Sequence, residues 1–286
     1  MESIVESNVA SEREVCDSLG CSRKAYQRWK NVGSAPVREA DDQALMPKVT
    51  SIFHKHRRRY GTRRIVKELR DHQCHVSRRR VGKLLKIAGL SAIQPKSFKP
   101  RSTESRHTLG YNPNLILDLA EPCRTNQLWV GDITYILLAL KGFFYLATLM
   151  DRYSRRIIGW ALEEDMTESL AITGLRRAIA ERQPRPDLIH HTDRGGQYAS
   201  VRYRKMLSRA AMRQSMSRAG DCYDNAFMES CFGTIKTELQ MTDYPTYRAA
   251  IKDLSEYIQY YNTERKHSAI GYVTPSQFEA AHGHRR

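Results

Sequence analysis

The sequence predicts a mixed α/β core preceded by an all-α region, and three observations carry that prediction. Short apolar, β-branched and aromatic runs begin at Gln127 and recur to about Met216, as strands do. Between and after them lie stretches with a three-to-four-residue apolar period, as in amphipathic helices. Before Gln127 the helical period appears alone, interrupted by glycine, proline and a dense run of arginine and lysine.

Residues 11–31 read SEREVCDSLGCSRKAYQRWKN. Val15, Leu19, Ala25, Tyr26 and Trp29 fit two short helices, with Gly20 at the turn and Ser22 as N-cap of the second, the pattern of a small helix-turn-helix. Residues 32–50 hold Gly33, Pro36 and Pro47 and read as a connector whose end is already helical. From Tyr60 to Leu90, Ile65, Val66 and Leu69 form one helical stripe. Val81, Leu84 and Leu85 form a second, between Ser77 as N-cap and Gly89 as stop. Residues 91–112, with Pro95 and Pro100 among basic and hydroxyl residues, read as a linker.

The runs LWVGDITYILL, FFYLATLMD and SRRIIGWAL predict a three-stranded antiparallel meander, turning at Lys141-Gly142 and at Arg152-Tyr153. A helix from Met166 to Arg182, a fourth strand from Asp187 to Thr192, a helix from Ser200 to Arg209 and a fifth strand near Arg213 to Met216 follow. Helices from about Asn225 to Gln240 and from Thr246 to Asn262 complete the pattern. Three strands and then α-β-α-β-α describe a mixed five-stranded sheet flanked by helices. The most apolar run, Ile133 to Met150, is cut by Lys141-Gly142 and reads as two buried strands rather than a membrane span.

The composition narrows the function. The formal charge is +16 over 286 residues, and residues 51–110 hold 17 basic against 3 acidic residues. Such concentration points to a polyanion-binding segment. Arg78, Arg79 and Arg80 fall in the first turn of a helix, where its dipole disfavours cations. No intramolecular reason for them is visible in the sequence, whereas a recognition helix meets DNA with those positions. The six cysteines show no paired spacing and no signal peptide is visible. A reducing, cytoplasmic setting is expected, with no membrane association.

Three acids stand out by context. Asp132 interrupts an apolar strand in WVGDITY, Asp193 closes a strand and opens into Arg194-Gly195-Gly196, and Glu229 lies on a helix beside the core stripe Met228, Phe232, Ile235 and Leu239, with Asp224 or Asn225 as its cap. A carboxylate in a central strand is costly unless paired or metal-bound. Strand ends opening into glycine turns are where α/β sheets place ligands. If the first and fourth strands are neighbours, both aspartates meet at one edge and the helix brings Glu229 over them. Three converging carboxylates call for hard divalent cations, Mg²⁺ or Mn²⁺, and two ions would serve phosphoryl transfer. His190 and His191 are expected to shape the strand end rather than bind metal, and the glycines to let a phosphate backbone approach.

These motifs together resemble a known family. WVGDITY, HTDRGGQY and DNAFMESCFGTIKTE, with 35 residues between the second and third acids, are similar to the DDE transposases of bacterial insertion sequences, in particular the second-reading-frame product of the family founded by insertion sequence three. YGTRRI resembles that family's helix-turn-helix, and YYNTERKHSAIGYVTPSQF its C-terminal signature. Small departures are Cys231 in the ESFF position, Asp221 in GNCYDN and Thr62 in YGTRRI, and none falls on an acid of the triad. The resemblance implies an RNase H-like catalytic core similar to retroviral integrase. It implies that Asp132, Asp193 and Glu229 are the catalytic, metal-binding acids and that Lys236 contacts DNA near the scissile site. It further implies double-stranded DNA partners (element ends and target), a homo-oligomer on DNA, and the first-reading-frame protein, alone or fused, as a further candidate partner; no sustained heptad run of its own is present.

The expected organisation is an N-terminal helix-turn-helix segment over 1–48, a basic helix-turn-helix DNA-binding domain over 49–92, a linker over 93–124, the catalytic core over 125–243 and a C-terminal helical region over 244–286. Arg63, Arg64, Arg78, Arg79, Arg80, Lys83, Lys236, Arg265 and His267 are the candidate DNA contacts. A transposase cutting and joining strands at terminal inverted repeats is the favoured reading. A metal-dependent nuclease of the same fold and a DNA-binding regulator with an inactive core are the rivals.

Overall fold

The computed structural model describes residues 11–18, 20–30, 35–94, 110–117, 119–137, 143–218, 226–240 and 244–282. It divides into two compact units, Met1–Ala92 and Ile93–Arg286. The turn expected at Lys141-Gly142 and the cap expected at Asp224 or Asn225 lie outside the described residues.

In the first unit, helix α1 (Glu12–Ser18) precedes α2 (Arg23–Lys30), which Ser22 caps by accepting the Ala25 N–H at 3.1 Å. The expected connector is instead a 21-residue helix, α3 (Ala35–Lys55), that runs through Pro36 and Pro47. Pro36 falls in the first turn, where its missing N–H has no partner to lose. Pro47 forfeits one helical hydrogen bond. The helix continues past it because Leu45, Val49, Ile52 and Phe53 bury a stripe in the unit's core. Helices α4 (Thr62–Asp71) and α5 (Arg78–Ile87) supply Ile65, Leu69, Val81 and Leu84 to the same core. Ser77 caps α5 by accepting the Arg80 N–H at 3.2 Å, and Gly89, at φ +64°, follows its end.

The second unit is built on a sheet of order β3-β2-β1-β4-β5: β1 (Leu128–Leu137), β2 (Phe143–Asp151), β3 (Ile157–Glu163), then β4 (Ile189–Thr192) and β5 (Arg213–Met216). β1, β2 and β3 pair antiparallel, and β4 and β5 run parallel to β1. This order and these directions are those of an RNase H-like sheet. Helices α6 (Glu168–Arg182), α7 (Gly196–Ala199) and α8 (Val201–Arg209) cover one face, where Leu175, Ala178, Tyr203 and Leu207 pack on Trp129, Leu149 and Ile158. Helices α9 (Ala226–Glu238) and α10 (Tyr247–Thr263) cover the other, where Met228, Phe232, Ile235, Leu254 and Tyr257 meet Val130, Leu146 and Met150. β3 and α6 approach so closely that a Cβ on Gly159 would stand 2.5 Å from the Gly174 carbonyl oxygen.

The strands and helices lie where the sequence places them, with three differences. β4 starts at Ile189 rather than Asp187, because Asp187 adopts a left-handed turn (φ 68°). The single turn α7 carries too few residues to show a period. A last helix, α11 (Pro275–His282), is clamped to the core by Glu279, which accepts from Arg182 at 2.8 and 2.9 Å, Arg156 at 2.9 Å and Ser154 at 2.7 Å. Among the described residues no helix is long and apolar enough to cross a membrane.

Candidate active site

Asp132 sits mid-strand in β1, opposite Thr148 of β2, and its Oδ1 accepts the Ile133 N–H at 2.8 Å. β4 lies beside β1, with Val130 paired to His191. Asp193, the first residue past β4, therefore falls level with Asp132. Its Oδ1 accepts the Gly195 N–H at 2.9 Å, which ties the carboxylate into the turn. A Cβ on Gly195 would meet that same Oδ1 at 3.1 Å and Gln197 Oε1 at 2.9 Å. The glycine is needed by the turn itself, a nearer reason than the approach of a phosphate.

Glu229 is exposed on the first turn of α9, and Lys236 is half-buried two turns further on. The three acids share one electrostatic environment. Burial first, then the charge of Asp193 and also that of Glu229, raise the Asp132 pKa well above its ordinary 3.8, with Lys236 opposing. Burial lowers Lys236 to about 8 although Asp132 works against it, and its Nζ stands 3.8 Å from the centre of the Tyr135 ring. Tyr198, buried next to the two aspartates, has its hydroxyl pKa raised by burial and by both charges. Sequence reasoning passed over Tyr135 and Tyr198, although both lie inside the quoted motifs.

The histidines of the strand end are engaged internally. His190 Nε2 meets the Tyr203 hydroxyl at 2.7 Å, and burial lowers its pKa to about 3, so the ring is neutral. His191 Nδ1 meets Ser215 Oγ at 2.8 Å. That leaves carboxylate oxygens as the donors of the site. One of them is desolvated and repelled by two others, a set that fits a hard divalent cation. Among the described residues, no three His, Cys, Asp or Glu side chains have closed to metal-holding spacing. The triad is electrostatically coupled but open.

The basic candidates sort into two groups. Arg63, Arg78, Arg79 and Lys83 are exposed on α4 and α5. Arg64 is half-buried, donating to the Arg59 carbonyl at 3.3 Å. Arg80 has the intramolecular partner that the sequence did not reveal, since its Nε donates to Asp42 Oδ1 at 2.6 Å, and Lys83 Nζ lies 3.6 Å from Oδ2 of the same acid. The remaining two candidates have internal partners. Arg265 is 3% exposed and turned inward, with Nε and Nη2 donating to Glu238 at 2.9–3.0 Å. A second donor, the Tyr257 hydroxyl, reaches Glu238 at 3.0 Å. A buried guanidinium needs such a counter-charge, so Arg265 braces α9 against the C-terminal segment rather than presenting itself to DNA. His267 is half-buried, its Nε2 meeting the Tyr261 hydroxyl at 2.9 Å.

Most of the chain matches known families. An integrase core domain matches residues 122–222, a second integrase core domain residues 210–275, and an HTH-like domain residues 40–98. The chain is similar to the insertion element IS600 uncharacterized 31 kDa protein of Shigella sonnei, with 37% identity over 267 residues, 92% of this chain and 97% of that protein. It is similar to the transposase InsF for insertion sequence IS3A of Escherichia coli (strain K12), with 35% identity over 272 residues and 94% of each chain. Among solved structures it is similar to a chain of the simian T-cell lymphotropic virus intasome in complex with PP2A regulatory subunit B56 gamma, at 20% identity and a TM-score of 0.48, over 74% of this chain and 69% of that one.

Proposed function

The chain belongs to the integrase-core transposases of the insertion sequence three family, and from that premise we propose which residues do the work and how. Asp132, Asp193 and Glu229 are the catalytic carboxylates and hold Mg²⁺ or Mn²⁺, two ions in the active complex. Bound there, divalent ions ease deprotonation of an attacking oxygen and stabilise the leaving oxygen of an in-line phosphoryl transfer. The chain's own contribution is placement. The Ile133 N–H fixes one oxygen of Asp132 and the Gly195 N–H fixes one of Asp193, while α9 carries Glu229 near enough for its charge to act on Asp132. Lys236, on the same helix, meets the phosphate beside the scissile bond. Water attacks first and frees a 3′-hydroxyl at the element end; that hydroxyl then attacks a second strand at the same site.

The exposed residues Arg63, Arg78, Arg79 and Lys83 carry the DNA contacts of the HTH-like region, which reads the terminal inverted repeats. The working form is a homo-oligomer joining two ends, with the first-reading-frame protein as a further partner, and its DNA substrate places it in the cytoplasm on the nucleoid. Transposition runs copy-out, paste-in through a circular intermediate.

The observation that carries the catalytic reading is the β1–β4 register that sets Asp193 level with Asp132, with Glu229 close enough for its charge to act on the same carboxyl, although Asp193 and Glu229 lie 61 and 97 positions further along the sequence. The test incubates labelled inverted-repeat DNA with Mg²⁺ and either wild type or Asp193→Asn. Cleavage and joining by wild type, lost in the variant with DNA binding kept, is the expected result. Cutting without joining indicates a nuclease. Binding with no metal-dependent chemistry, in the chain and in its first-frame fusion alike, indicates a regulator and overturns the reading.

A further inference from the structure

The β2–β3 turn and α9 border a cleft of about 240 Å³ that the carboxylate site does not use. Phe227, Ser230 and Thr234 line it from α9 at a spacing that puts them on one face of the helix. Glu229 and Lys236 fall roughly opposite, at ~100° per residue. The cleft is therefore separate from the triad, although the same helix borders both.

Its charged lining residue is Arg155. The guanidinium lies 4.5 Å from the centre of the Phe227 ring, and Arg152 approaches that ring at 3.3 Å. The neighbouring arginines are matched: Arg152 to Glu121, Arg156 and Arg182 to Glu279, Arg265 to Glu238. Among the described residues no carboxylate comes within salt-bridge distance of Arg155, and none lines the cleft. Ser230, Thr234, Tyr261 and His267 line the same space, and the Tyr261 hydroxyl is bonded to His267 Nε2 at 2.9 Å. Burial is the main cause that lowers the Arg155 pKa, and Arg152 and Arg155 repel each other; the charges of Glu121 and Asp151 offset this only from beyond salt-bridge distance. The backbone is also strained to place it, with Arg155 at φ 63°, where a non-glycine residue is uncommon. A cation held at such expense, among hydroxyls and an aromatic wall, lacks only its anion.

We infer that this cleft binds a phosphate group, with the Arg155 guanidinium as charged anchor and the Ser230 and Thr234 hydroxyls as donors, and that in the working protein the phosphate belongs to a DNA strand. The identity of the strand as source rests on the transposase reading; the anion site does not. A strand seated there would contact α9 on the side away from Glu229 and hold the helix as the triad closes.

The test uses the full chain and two variants. Arg155→Gly suits the left-handed backbone and removes the charge. Ser230→Ala combined with Thr234→Val removes the hydroxyls and leaves the turn alone. Binding to element-end DNA is measured against salt, and melting is compared in inorganic phosphate and in chloride at equal ionic strength. We expect Arg155→Gly to melt no lower than wild type and to bind DNA ~3–10-fold more weakly at low salt. Its slope of log affinity against log salt should fall by about one. The hydroxyl variant should weaken binding in the same direction with the slope kept. Phosphate should raise the melting temperature of wild type and not of Arg155→Gly. A phosphate response with an unchanged DNA slope would keep the anion site and overturn DNA as its source. Neither response in either variant would overturn the site. Asp193→Asn in the same assays should keep both responses, so a failure of the catalytic reading and a failure of this one appear as different results.

Discussion

The ammonium of Lys236 stands 3.8 Å from the centre of the Tyr135 ring, so a helix residue and a strand residue on either side of Asp132's neighbourhood are joined by a cation–π contact. Such a contact is worth about 0.5–2 kcal/mol. Tyr135→Phe keeps the ring face and should leave strand transfer near wild type, while Tyr135→Leu should slow it ~2–30-fold. Equal rates in Phe and Leu variants would show that the ring does not position the lysine. The lysine also makes DNA binding depend on pH. With a folded pKa of about 8 it is charged at pH 7 and neutral at pH 9. Low-salt DNA affinity should fall as pH rises through 8, and Lys236→Arg, permanently charged, should remove that fall. The same shift has a stability consequence of defined sign. A lysine whose folded pKa lies below its unfolded 10.5 costs stability at neutral pH, and the cost fades between about 8 and 10.5.

Asp132 is a second site where function opposes stability. A carboxyl with a raised folded pKa binds its proton more tightly in the fold. Its ionisation costs stability, starting as pH rises past 3.8 and complete above the raised value. Asp132→Asn should therefore abolish cleavage and joining while raising Tm at pH 7 by on the order of a few degrees. Mg²⁺ should raise the Tm of wild type at pH 7, more than at pH 4.5, and have little effect on the variant. A variant that melts lower at pH 7 would count against the electrostatic reading.

Gly131, in β1, faces the end of β4 beside it. A Cβ there would stand 2.9 Å from Cε1 of His190 and 3.5 Å from Cγ2 of Thr192, both fully buried. Gly131→Ala should destabilise by about 1–3 kcal/mol through overpacking. It should also cut activity more than the folded fraction explains, because Asp132 is the next residue. Circular dichroism melting and single-turnover cleavage measured together check both parts.

Breaking the Glu238–Arg265 pair should be a folding defect, not a DNA-binding defect. Replacing one partner leaves a buried charge and costs about 3–5 kcal/mol, so Arg265→Met should unfold at markedly lower denaturant. The double variant Arg265→Met with Glu238→Leu should recover much of that loss. Folded Arg265→Met should bind element-end DNA with unchanged salt slope; a slope reduced by about one would restore Arg265 as a phosphate contact.

Much of this molecule is legible one residue at a time. Strands, helices and caps follow from apolar periods and from Ser22 and Ser77, because backbone conformation answers to neighbours within a few positions. The triad was visible for a related reason. Asp132 and Asp193 are conspicuous in apolar strands before any contact is known. The helix through Pro47 shows where local rules give way, since a stripe buried by α4 and α5 outweighed a lost hydrogen bond.

The roles of the other charged residues were decided by the fold. Arg80 and Asp42 are 38 positions apart, and Arg265 and Glu238 are 27. In the sequence each arginine looks like the exposed Arg63 and Arg79. A guanidinium braces the fold or faces DNA according to whether a carboxylate lies within a few ångströms, and that distance is set by chain crossings no local pattern encodes. Arg155 is the same case with the opposite outcome, a turn arginine of no distinction in sequence that the packing of α9 leaves facing a cleft with no acid among its described lining residues. Local sequence pattern was enough for most strands and helices and for singling out three acids by their context, while the strand order β3-β2-β1-β4-β5 came from the packing. The tertiary structure decided which cations are already matched and which remain available to a phosphate.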